Sequence, residues 1–329
     1  MTHKRQLSLM HVAAAVGAVF MVLPGSACAD AAKDFPAKPI RLVVAASAGS
    51  QPDSVARIVA QKMTDGWGKP VVVDNRPGAG GTPAAMLVTK AAPDGYTLLI
   101  TSPTFAITAA LQPTLPFDPV KDIATVAQVG FSTGALVTSP ALGVKSVKDL
   151  IAMAKAQPGK FIYASSAAGN TSHLNGEKFR LAAGIKVVNV AFKSGSDGLI
   201  ETLAGRTHYS FSGLAPTLPF IKSGKLLALA VTTPQRASQL PDVPALAETL
   251  PGFAHEGAYG VLAPAKTPRP VLTRISNEIA RILSLPDVKE KMFSMGFTPA
   301  PSTPEEYDKS LRQSIEEFSK LALAIGLRK

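Results

Sequence analysis

Short apolar runs alternate with amphipathic stretches along the chain. Residues 39–46, 70–75 and 96–101 are apolar and rich in β-branched side chains, which predicts strands, whereas 53–63 and 81–92 repeat apolar side chains at helical spacing. Strands separated by helices are typical of βαβ units, whose strands pair in parallel. The pattern therefore predicts an α/β layer built on a mainly parallel sheet flanked by helices.

The same alternation begins again after residue 145 and continues to the end of the chain. The predicted elements are strands at 161–166, 186–192, 208–213, 226–233 and 259–263, and helices at 146–160, 171–184, 196–205, 217–224, 270–284, 287–295 and 304–324. A chain of 329 residues exceeds the roughly 250 to 300 residues at which a single core stops growing. Two similar α/β lobes are therefore predicted, with ligand space between them.

The first 29 residues have the three parts of a secretory signal peptide. Lys4 and Arg5 form a basic start, an apolar run follows, and Ala27–Ala29 is a cleavage signal of small residues. We expect export to the periplasm with cleavage after this signal, and lipidation of Cys28 stays open as an alternative. Cys28 is the only cysteine, so the exported chain needs no disulfide and has no Cys nucleophile.

The chain is strongly basic. Removing Lys4 and Arg5 from the formal charge of +11 leaves +9 for the exported protein. A basic surface suits nucleic acid, a membrane surface or small anions. Since no basic tract and no interleaving of basic with aromatic residues occurs, we expect no nucleic-acid partner, and attraction of small anionic solutes is favoured.

Three small, hydroxyl-rich loops follow predicted strands, at 47–53, 101–105 and 165–173. Each leads toward a helix start, where free N–H groups and the positive end of the helix dipole suit a carboxylate. Ligands of α/β sheets bind beyond the carboxyl ends of the strands, so three such loops favour a shared anion site. The alternative is that their polar residues only cap helices and form turns, which by itself explains Asp53, Thr171 and Ser172.

Motifs for nucleotide, hydrolase and metal chemistry do not occur. The stretch "RPGAGG" at 76–81 lacks the third glycine of a dinucleotide fingerprint, and there is neither a phosphate loop nor a nucleophile elbow. His173 and Glu177, four residues apart, would supply two metal ligands, but no third is evident. We therefore expect no cofactor, no metal and no catalytic residue. The alternative is an exported α/β hydrolase or isomerase that acts on an organic acid through His173 or Asp53.

Nine segments of the chain occur in the order in which one known family has them. They are "FPAKPIRLVV", "VVVDNRPGAGG", "APDGYTLL", "LPFDPVKD", "SVKDLIAMAKAQPGKFIYASS", "HLNGEKF", "GKLLALAVTT", "LPDVPALAE" and "GVLAPAKTP". On these segments, which span nearly all of the chain after residue 29, the protein resembles the Bug-type extracytoplasmic solute receptors of tripartite tricarboxylate transporters. The resemblance implies a two-lobed periplasmic binding protein fold, or Venus flytrap, with lobe 1 at 30–131 and 235–329 and lobe 2 at 132–234.

The resemblance also implies what the cleft holds. We expect a monomer that binds a small organic acid, carboxylic or aromatic-carboxylic, and passes it to a membrane permease of the tripartite tricarboxylate transporter type. Two of the departures from the family pattern near the expected pocket are Ala258, which replaces a frequent tryptophan, and Asp197, which would be unfavourable beside an anion unless it faces away or meets a ligand amine. The expected ligand-binding residues are Ser47, Gly49, Asp53, Thr101, Ser102, Thr104, Ser165, Ser166, Gly169, Asn170, Thr171 and Lys193.

Overall fold

The computed structural model describes residues 34–112, 114–167, 169–253 and 257–328. The predicted signal peptide and Cys28 lie outside these residues. The strands are β1 (Ile40–Val44), β2 (Val71–Asn75), β3 (Thr97–Thr101), β4 (Ile123–Ser132), β5 (Gly134–Thr138), β6 (Phe161–Ser165), β7 (Val187–Ala191), β8 (Tyr209–Gly213), β9 (Leu227–Val231), β10 (Gly257–Pro264) and β11 (Phe297–Pro299). The α-helices are α1 (Gln51–Trp67), α2 (Thr82–Thr89), α3 (Pro103–Leu111), α4 (Val147–Ala156), α5 (Thr171–Ala183), α6 (Gly195–Leu203), α7 (Leu214–Lys222), α8 (Arg269–Ser284), α9 (Pro286–Ser294) and α10 (Pro304–Ala324).

The strands form two separate sheets, and the order in each sheet defines two lobes. The first sheet has the order β11-β4-β10-β3-β1-β2, and the second has the order β7-β6-β8-β5-β9. The chain passes from the first sheet to the second between Ser132 and Gly134, and β10 returns it to the first sheet. The two α/β lobes that the alternating pattern predicts are therefore present.

Each sheet is mixed rather than mainly parallel, which corrects the expectation for strand direction. β1 pairs in parallel with β2 and β3, and β6 pairs in parallel with β7 and β8. β10 is antiparallel to β3 and β4, and β5 is antiparallel to β8 and β9. The physical reason is that these strands carry the chain between the sheets directly, without the helical crossover that joins neighbouring parallel strands.

Helices cover both faces of each sheet. α1 and α8 bury Val59 and Ile279 on one face of the first sheet, and α3 and α10 bury Ala106 and Leu311 on the other. In the second lobe, α4 and α5 pack on one face while α6 and α7 pack on the other. Burial of apolar surface on both faces is the main contribution to the stability of such layers.

The segment between β9 and β10 packs on the second sheet. Ala237 and Ala245 are buried against Val231 of β9, and Leu246 and Phe253 belong to the apolar cluster of α4 and α5. The predicted lobe boundaries stay a prediction, and this packing favours a return to lobe 1 after Phe253 rather than at residue 235.

Most predicted elements are present, within a few residues at each end. The pattern did not predict α3, β4, β5 and β11. β11 is only three residues long, and β4 and β5 follow each other with a single residue between them at the crossing between the lobes. Across the described ranges, no helix has both the length and the apolar character that a membrane crossing requires.

Candidate functional site

A cleft of about 460 Å³ lies between the two sheets. It is located beyond the carboxyl ends of β1, β3, β6 and β8, where α/β sheets usually bind ligands. Small hydroxyl and amide side chains dominate its wall, with Phe211, Tyr259 and two prolines as the larger groups. None of the described residues that line the cleft is Asp, Glu, Lys, Arg or His. The described lining of the cleft therefore consists of neutral groups.

Three helices begin at the cleft without a side-chain cap, although the first turns of α1 and α3 each contain a proline, which has no N–H group. Ser50, Ser102 and Asn170 are the N-cap residues of α1, α3 and α5, and none of their side chains accepts a hydrogen bond from its own helix. The first N–H groups of a helix have no partner within the helix, and the dipole makes this end positive. Two helix ends in lobe 1 and one in lobe 2 thus present donors to the same space, an arrangement that suits an anion.

The loop after β6 is held by a network of side-chain hydrogen bonds. The Ser166 N–H donates to Ser172 Oγ at 2.9 Å, and the two hydroxyls are 2.8 Å apart. Asn170 Nδ2 donates to Ser166 Oγ at 3.0 Å. The contact between the Ser166 and Ser172 hydroxyls uses one of their two protons, so this pair keeps one donor for a ligand.

His173 supports this loop from inside lobe 2. The Gly169 N–H donates to His173 Nδ1 at 3.1 Å, which requires a neutral imidazole with an unprotonated Nδ1. Burial lowers the pKa of His173 and outweighs the opposite effect of Glu177, so this neutral form is favoured. Glu177 in turn accepts hydrogen bonds from Tyr163 and Arg180. His173 and Glu177, on which an enzyme or a metal site would depend, are therefore both engaged in hydrogen bonds within the protein.

Asp53 has a similar structural role in lobe 1. Its carboxylate accepts hydrogen bonds from the Gly49 N–H and Asn75 Nδ2, both at 2.9 Å, and forms an ion pair with Arg57. Burial by itself raises the pKa of Asp53, but the hydrogen bonds from Arg57, Gly49 and Asn75 outweigh it and keep the pKa below its ordinary value. The carboxylate fixes the loop between β1 and α1 and does not line the cleft.

The crossing between the lobes forms the floor of the cleft. Thr133 is 1% exposed and lines the cleft, and its hydroxyl has no hydrogen-bond partner among the described residues. The backbone here is fully engaged: the Leu214 N–H donates to Thr133 O at 2.8 Å, and the Thr232 N–H donates to Gly134 O at 2.9 Å. A buried hydroxyl without a partner is costly, and this one lies beneath the surface of the cleft floor.

The wall beside this floor is held by a glutamine that connects three elements. Tyr259 Oη donates to Gln51 Oε1 at 2.9 Å, and Gln51 Nε2 donates to Met295 O at 2.8 Å. Burial raises the pKa of Tyr259 to about 12, although a hydrogen bond with Ser132 opposes this effect. Tyr259 thus stays a neutral phenol, and its ring and hydroxyl are fixed at the point where α1, β10 and the turn after α9 meet.

The structure brings together some of the expected ligand-binding residues and separates others. Five of them line the cleft: Ser102, Thr104, Ser166, Asn170 and Thr171. Seven do not: Ser47, Gly49, Asp53, Thr101, Ser165, Gly169 and Lys193.

The contacts of these seven residues differ. Thr101 and Ser165 are buried under the sheet ends, where their hydroxyls contact Gly260 O and Ser166 O. Ser47 accepts two hydrogen bonds at its carbonyl from Ser50, and Lys193 is exposed. Gly49 and Gly169 donate their N–H groups to Asp53 and His173 respectively, as described above. Through these bonds Gly49 and Gly169 fix the loops before α1 and α5.

Several cleft residues were missed by the sequence reasoning. Asn175 lies one helical turn after Thr171 on the same face of α5, and this spacing is a signal that would have found it, whereas Ser172 is the next residue after Thr171 in the first turn. Thr133, Ser212 and Thr232 lie at the crossing between the sheets, and no local pattern marks them.

Asp197, which the sequence placed near the expected anion, faces its own helix. Its carboxylate accepts the Ser194 N–H at 3.2 Å, and the Asp197 N–H donates to Ser194 Oγ at 3.1 Å. These two bonds form a capping box at the start of α6. Over the described ranges, no three His, Cys, Asp or Glu side chains come close enough to hold a metal ion.

Comparison with known proteins shows the family of this chain. Residues 55–327 match the Tripartite tricarboxylate transporter family receptor. A UPF0065 protein of Bordetella bronchiseptica is 35% identical over 309 residues, covering 94% of this chain and 92% of that protein. Protein BugT of Bordetella pertussis is 31% identical over 325 residues, covering 98% of this chain and 99% of BugT.

The fold can also be compared with that of a solved structure. R. palustris Rpa4515 with adipate superposes with a TM-score of 0.76 at 30% sequence identity, covering 89% of this chain and 99% of that one. The expected two-lobed fold of periplasmic binding proteins is thereby confirmed. The chain belongs to the tripartite tricarboxylate transporter family of receptors, within which it is a Bug-type solute receptor.

Proposed function

We propose that this protein is a periplasmic receptor that captures a small organic acid by a carboxylate in the interlobe cleft and delivers it to a membrane permease. The observation that carries the proposal is the convergence of three uncapped helix N-termini on one neutral cleft. Such ends bind anions without a side-chain cation. The relative with adipate supports a carboxylate ligand, and the predicted signal peptide supports the periplasm.

The proposed contacts come from both lobes. Lobe 1 contributes Ser102 and Thr104 at the start of α3, and lobe 2 contributes Ser166, Asn170 and Thr171 before and at the start of α5. To these we add Ser50, Thr133, Ser172 and Asn175, which line the same cleft. A ligand that contacts both sets favours the closed arrangement, because only that arrangement makes all the contacts.

A thermal-shift screen tests this function. The protein is purified, then unfolded and refolded to remove any bound solute, and heated with mono-, di- and tricarboxylates, aromatic acids and neutral sugars. An acid at about 100 times its dissociation constant adds roughly 2.7 kcal/mol to the free energy of unfolding, so its melting temperature rises by several degrees. Absence of a shift with every acid, or a shift only with sugars, would contradict carboxylate capture.

A matched pair of variants ties the shift to the cleft. Thr104 is exposed at the start of α3 and lines the cleft, whereas Thr273 is exposed on α8 and does not. We expect Thr104→Val to weaken binding of the best acid by about tenfold through loss of one charge-assisted hydrogen bond. Thr273→Val keeps the wild-type affinity. Calorimetry measures both, and equal affinities in the two variants would remove Thr104 from the site.

The enzyme alternative is tested in the same samples. A receptor returns its ligand unchanged, so mass spectrometry of the bound acid after long incubation separates the two classes. A consumed ligand would favour the enzyme, and His173→Asn would then be expected to stop its consumption.

A further inference from the structure

A second cavity, of about 500 Å³, lies between the lobes beside the cleft. Its walls are α5 of lobe 2 and α10 of lobe 1, so we call it the α5–α10 cavity. Its volume is close to the 460 Å³ of the cleft itself. On α5, Thr171 lines the cleft, whereas Leu174 and Lys178 line the α5–α10 cavity. A ligand confined to the cleft therefore leaves a second interlobe space of similar size unfilled.

Only a thin layer of side chains separates the two spaces. Asn175 is 5% exposed and lines both of them. Ser102 and Pro103 line the cleft and also border a small space beside α3. Ala258 and Ser314 border the same small space and line the α5–α10 cavity. The cleft and the cavity are thus neighbours across a boundary made largely of small residues.

Ala258 leaves room at this boundary. Successive side chains of a strand point to opposite sides, and accordingly Gly257 and Tyr259 line the cleft while Ala258 of the same strand lines the α5–α10 cavity. The position is the one at which the sequence departs from the family's frequent tryptophan. Since the alanine side chain ends at Cβ, space that a large side chain would occupy stays open to a ligand.

Apolar side chains from both lobes face this cavity. Leu174 of α5 and Pro234 contribute from lobe 2, and Phe318 and Leu321 of α10 contribute from lobe 1. Apolar surface of this kind gains free energy when a ligand group covers it and removes it from water. An occupant between α5 and α10 would contact both lobes, as a carboxylate in the cleft does.

The charged groups of the cavity have contacts within the protein. The Lys178 ammonium lies 5.1 Å from the centre of the Phe253 ring, a cation–π contact. The Glu317 carboxylate accepts a hydrogen bond from Gln313 Nε2 at 3.0 Å, and Lys320 pairs with the glutamate four residues before it. Burial of apolar surface is therefore the main gain that the cavity offers to an occupant.

We infer that the α5–α10 cavity is a second compartment of the binding site and that it takes an apolar group of the acid, such as a phenyl ring, while the carboxylate stays at the helix starts of the cleft. The inference rests on the proposed function, since it specifies the class of acid that the same site takes. The walls of the cavity come from both lobes, so the ring also favours the closed arrangement.

Matched acids with and without a terminal ring test the inference. Calorimetry on the refolded protein at pH 7 compares acetate, propionate, butyrate and pentanoate with the same acids carrying a phenyl group at the far carbon. The diacids from malonate to adipate carry a second carboxylate in place of that ring. We expect at least one phenyl acid to bind about tenfold or more tightly than both its parent and the corresponding diacid, because burial of a ring is favourable.

The outcomes separate this inference from the proposed function. If some acids bind but the ring gives no gain at any chain length, or if only the second carboxylate gives a gain, the inference is overturned and the proposed function stands. Binding of none of the acids would contradict both.

Variants that fill the cavity locate the ring. Ala258→Trp fills it from β10 and Ser314→Phe fills it from α10, and neither residue lines the cleft. We expect each variant, once its melting curve shows that it is folded, to lower the affinity for the best phenyl acid to that for its parent, whose affinity stays nearly unchanged. Ala324 is exposed near the end of α10 and lines neither space, so Ala324→Trp keeps the gain from the ring. A gain that persists in the filled variants would place the ring elsewhere and overturn the inference.

Discussion

The Asp53 carboxylate holds the loop that follows β1. It is 3% exposed and joins the Gly49 N–H, the Asn75 amide and the Arg57 guanidinium, which belong to three successive segments of lobe 1. The sequence suggested a ligand contact, whereas the contacts are those of a structural carboxylate. Residues beside a ligand loop thus affect binding through the position of that loop.

A pH dependence of stability follows from these contacts. In the folded protein the pKa of Asp53 is below its ordinary value of about 4. The ionised carboxylate therefore contributes its full stability at a pH above that ordinary value, and the contribution is lost as the pH falls through the lowered pKa. We expect Asp53→Asn to lower the free energy of unfolding by about 2 kcal/mol at pH 7, since hydrogen bonds to a charged group are lost. Urea unfolding from pH 7 to pH 3 should show the difference between wild type and variant becoming smaller.

The control for this measurement lies on the same helix. Asp65 is exposed near the end of α1 and bonds only to the neighbouring Gln61 among the described residues. Asp65→Asn should leave the free energy of unfolding at pH 7 almost unchanged. A loss for Asp53→Asn that stays constant down to pH 3 would contradict a role for its charge.

The helices divide into two kinds, with and without a side-chain cap, and the second kind is not confined to the cleft, since α2, α7, α8 and α9 also lack a side-chain cap. α6 and α10 start with capping boxes, formed by Ser194 with Asp197 and by Thr303 with Glu306, so their first N–H groups are satisfied within the chain. α1, α3 and α5 begin at the cleft without a side-chain cap. Since a helix without a cap gives up stability, the free N-termini at the cleft are consistent with a binding role.

A pair of serine variants separates these two kinds of helix start. Ser194→Ala removes the cap of α6 and should lower the free energy of unfolding by about 1 kcal/mol with no change in affinity for the best acid of the screen. Ser102→Ala, at the start of α3, should weaken the affinity for that acid and leave the free energy of unfolding unchanged. The reason is that the Ser102 side chain caps no N–H group of its helix and that Ser102 lines the cleft. Urea unfolding and calorimetry on both variants check this. A large loss of stability in Ser102→Ala would contradict the division.

An apolar contact joins the two lobes beside the cleft. Leu174 of α5 is 1% exposed and belongs to the apolar cluster of lobe 1, together with Phe105, Ala106 and Ala110 of α3. It follows the cleft residue Thr171 by one helical turn. We therefore expect ligand contact at Thr171 and burial of Leu174 against α3 to favour the same closed arrangement of the lobes.

Loss of the Leu174 contact should weaken binding although Leu174 does not line the cleft. Leu174→Ala removes buried apolar surface that only the closed arrangement provides, so the fraction of closed protein falls. We expect the dissociation constants of different acids to rise by the same factor, about tenfold for each 1.4 kcal/mol lost. Calorimetry with two acids of different length, and X-ray scattering of the ligand-free protein, measure this effect.

A second leucine serves as the control for Leu174. Leu199 of α6 is 4% exposed and packs only with apolar neighbours of lobe 2 in its described cluster. Leu199→Ala should lower the free energy of unfolding while the affinity stays that of wild type. If Leu174→Ala behaves like Leu199→Ala, the interlobe contact has no part in closure.

The chain pattern predicted much of the local structure and part of the site. Strands such as Ile40–Val44 and helices such as Arg269–Ser284 are encoded by their own apolar periodicity. The polar loops after β3 and β6 were identified from composition and position, and five of the twelve expected residues line the cleft. Local sequence suffices here because helix starts and strand ends are local features.

The nine family segments and the three-part N-terminal signal are also properties of the sequence alone, and so is the absence of nucleotide and nucleophile-elbow motifs. The tertiary structure decided the direction of β10 and β5, the separation of Gly49, Asp53 and Lys193 from the cleft surface, and the meeting of Thr133 and Ser212 at its floor. These features depend on contacts between residues far apart in the chain. The side of a loop that faces solvent, cleft or core is set by which partners pack against it, and no local period records those partners.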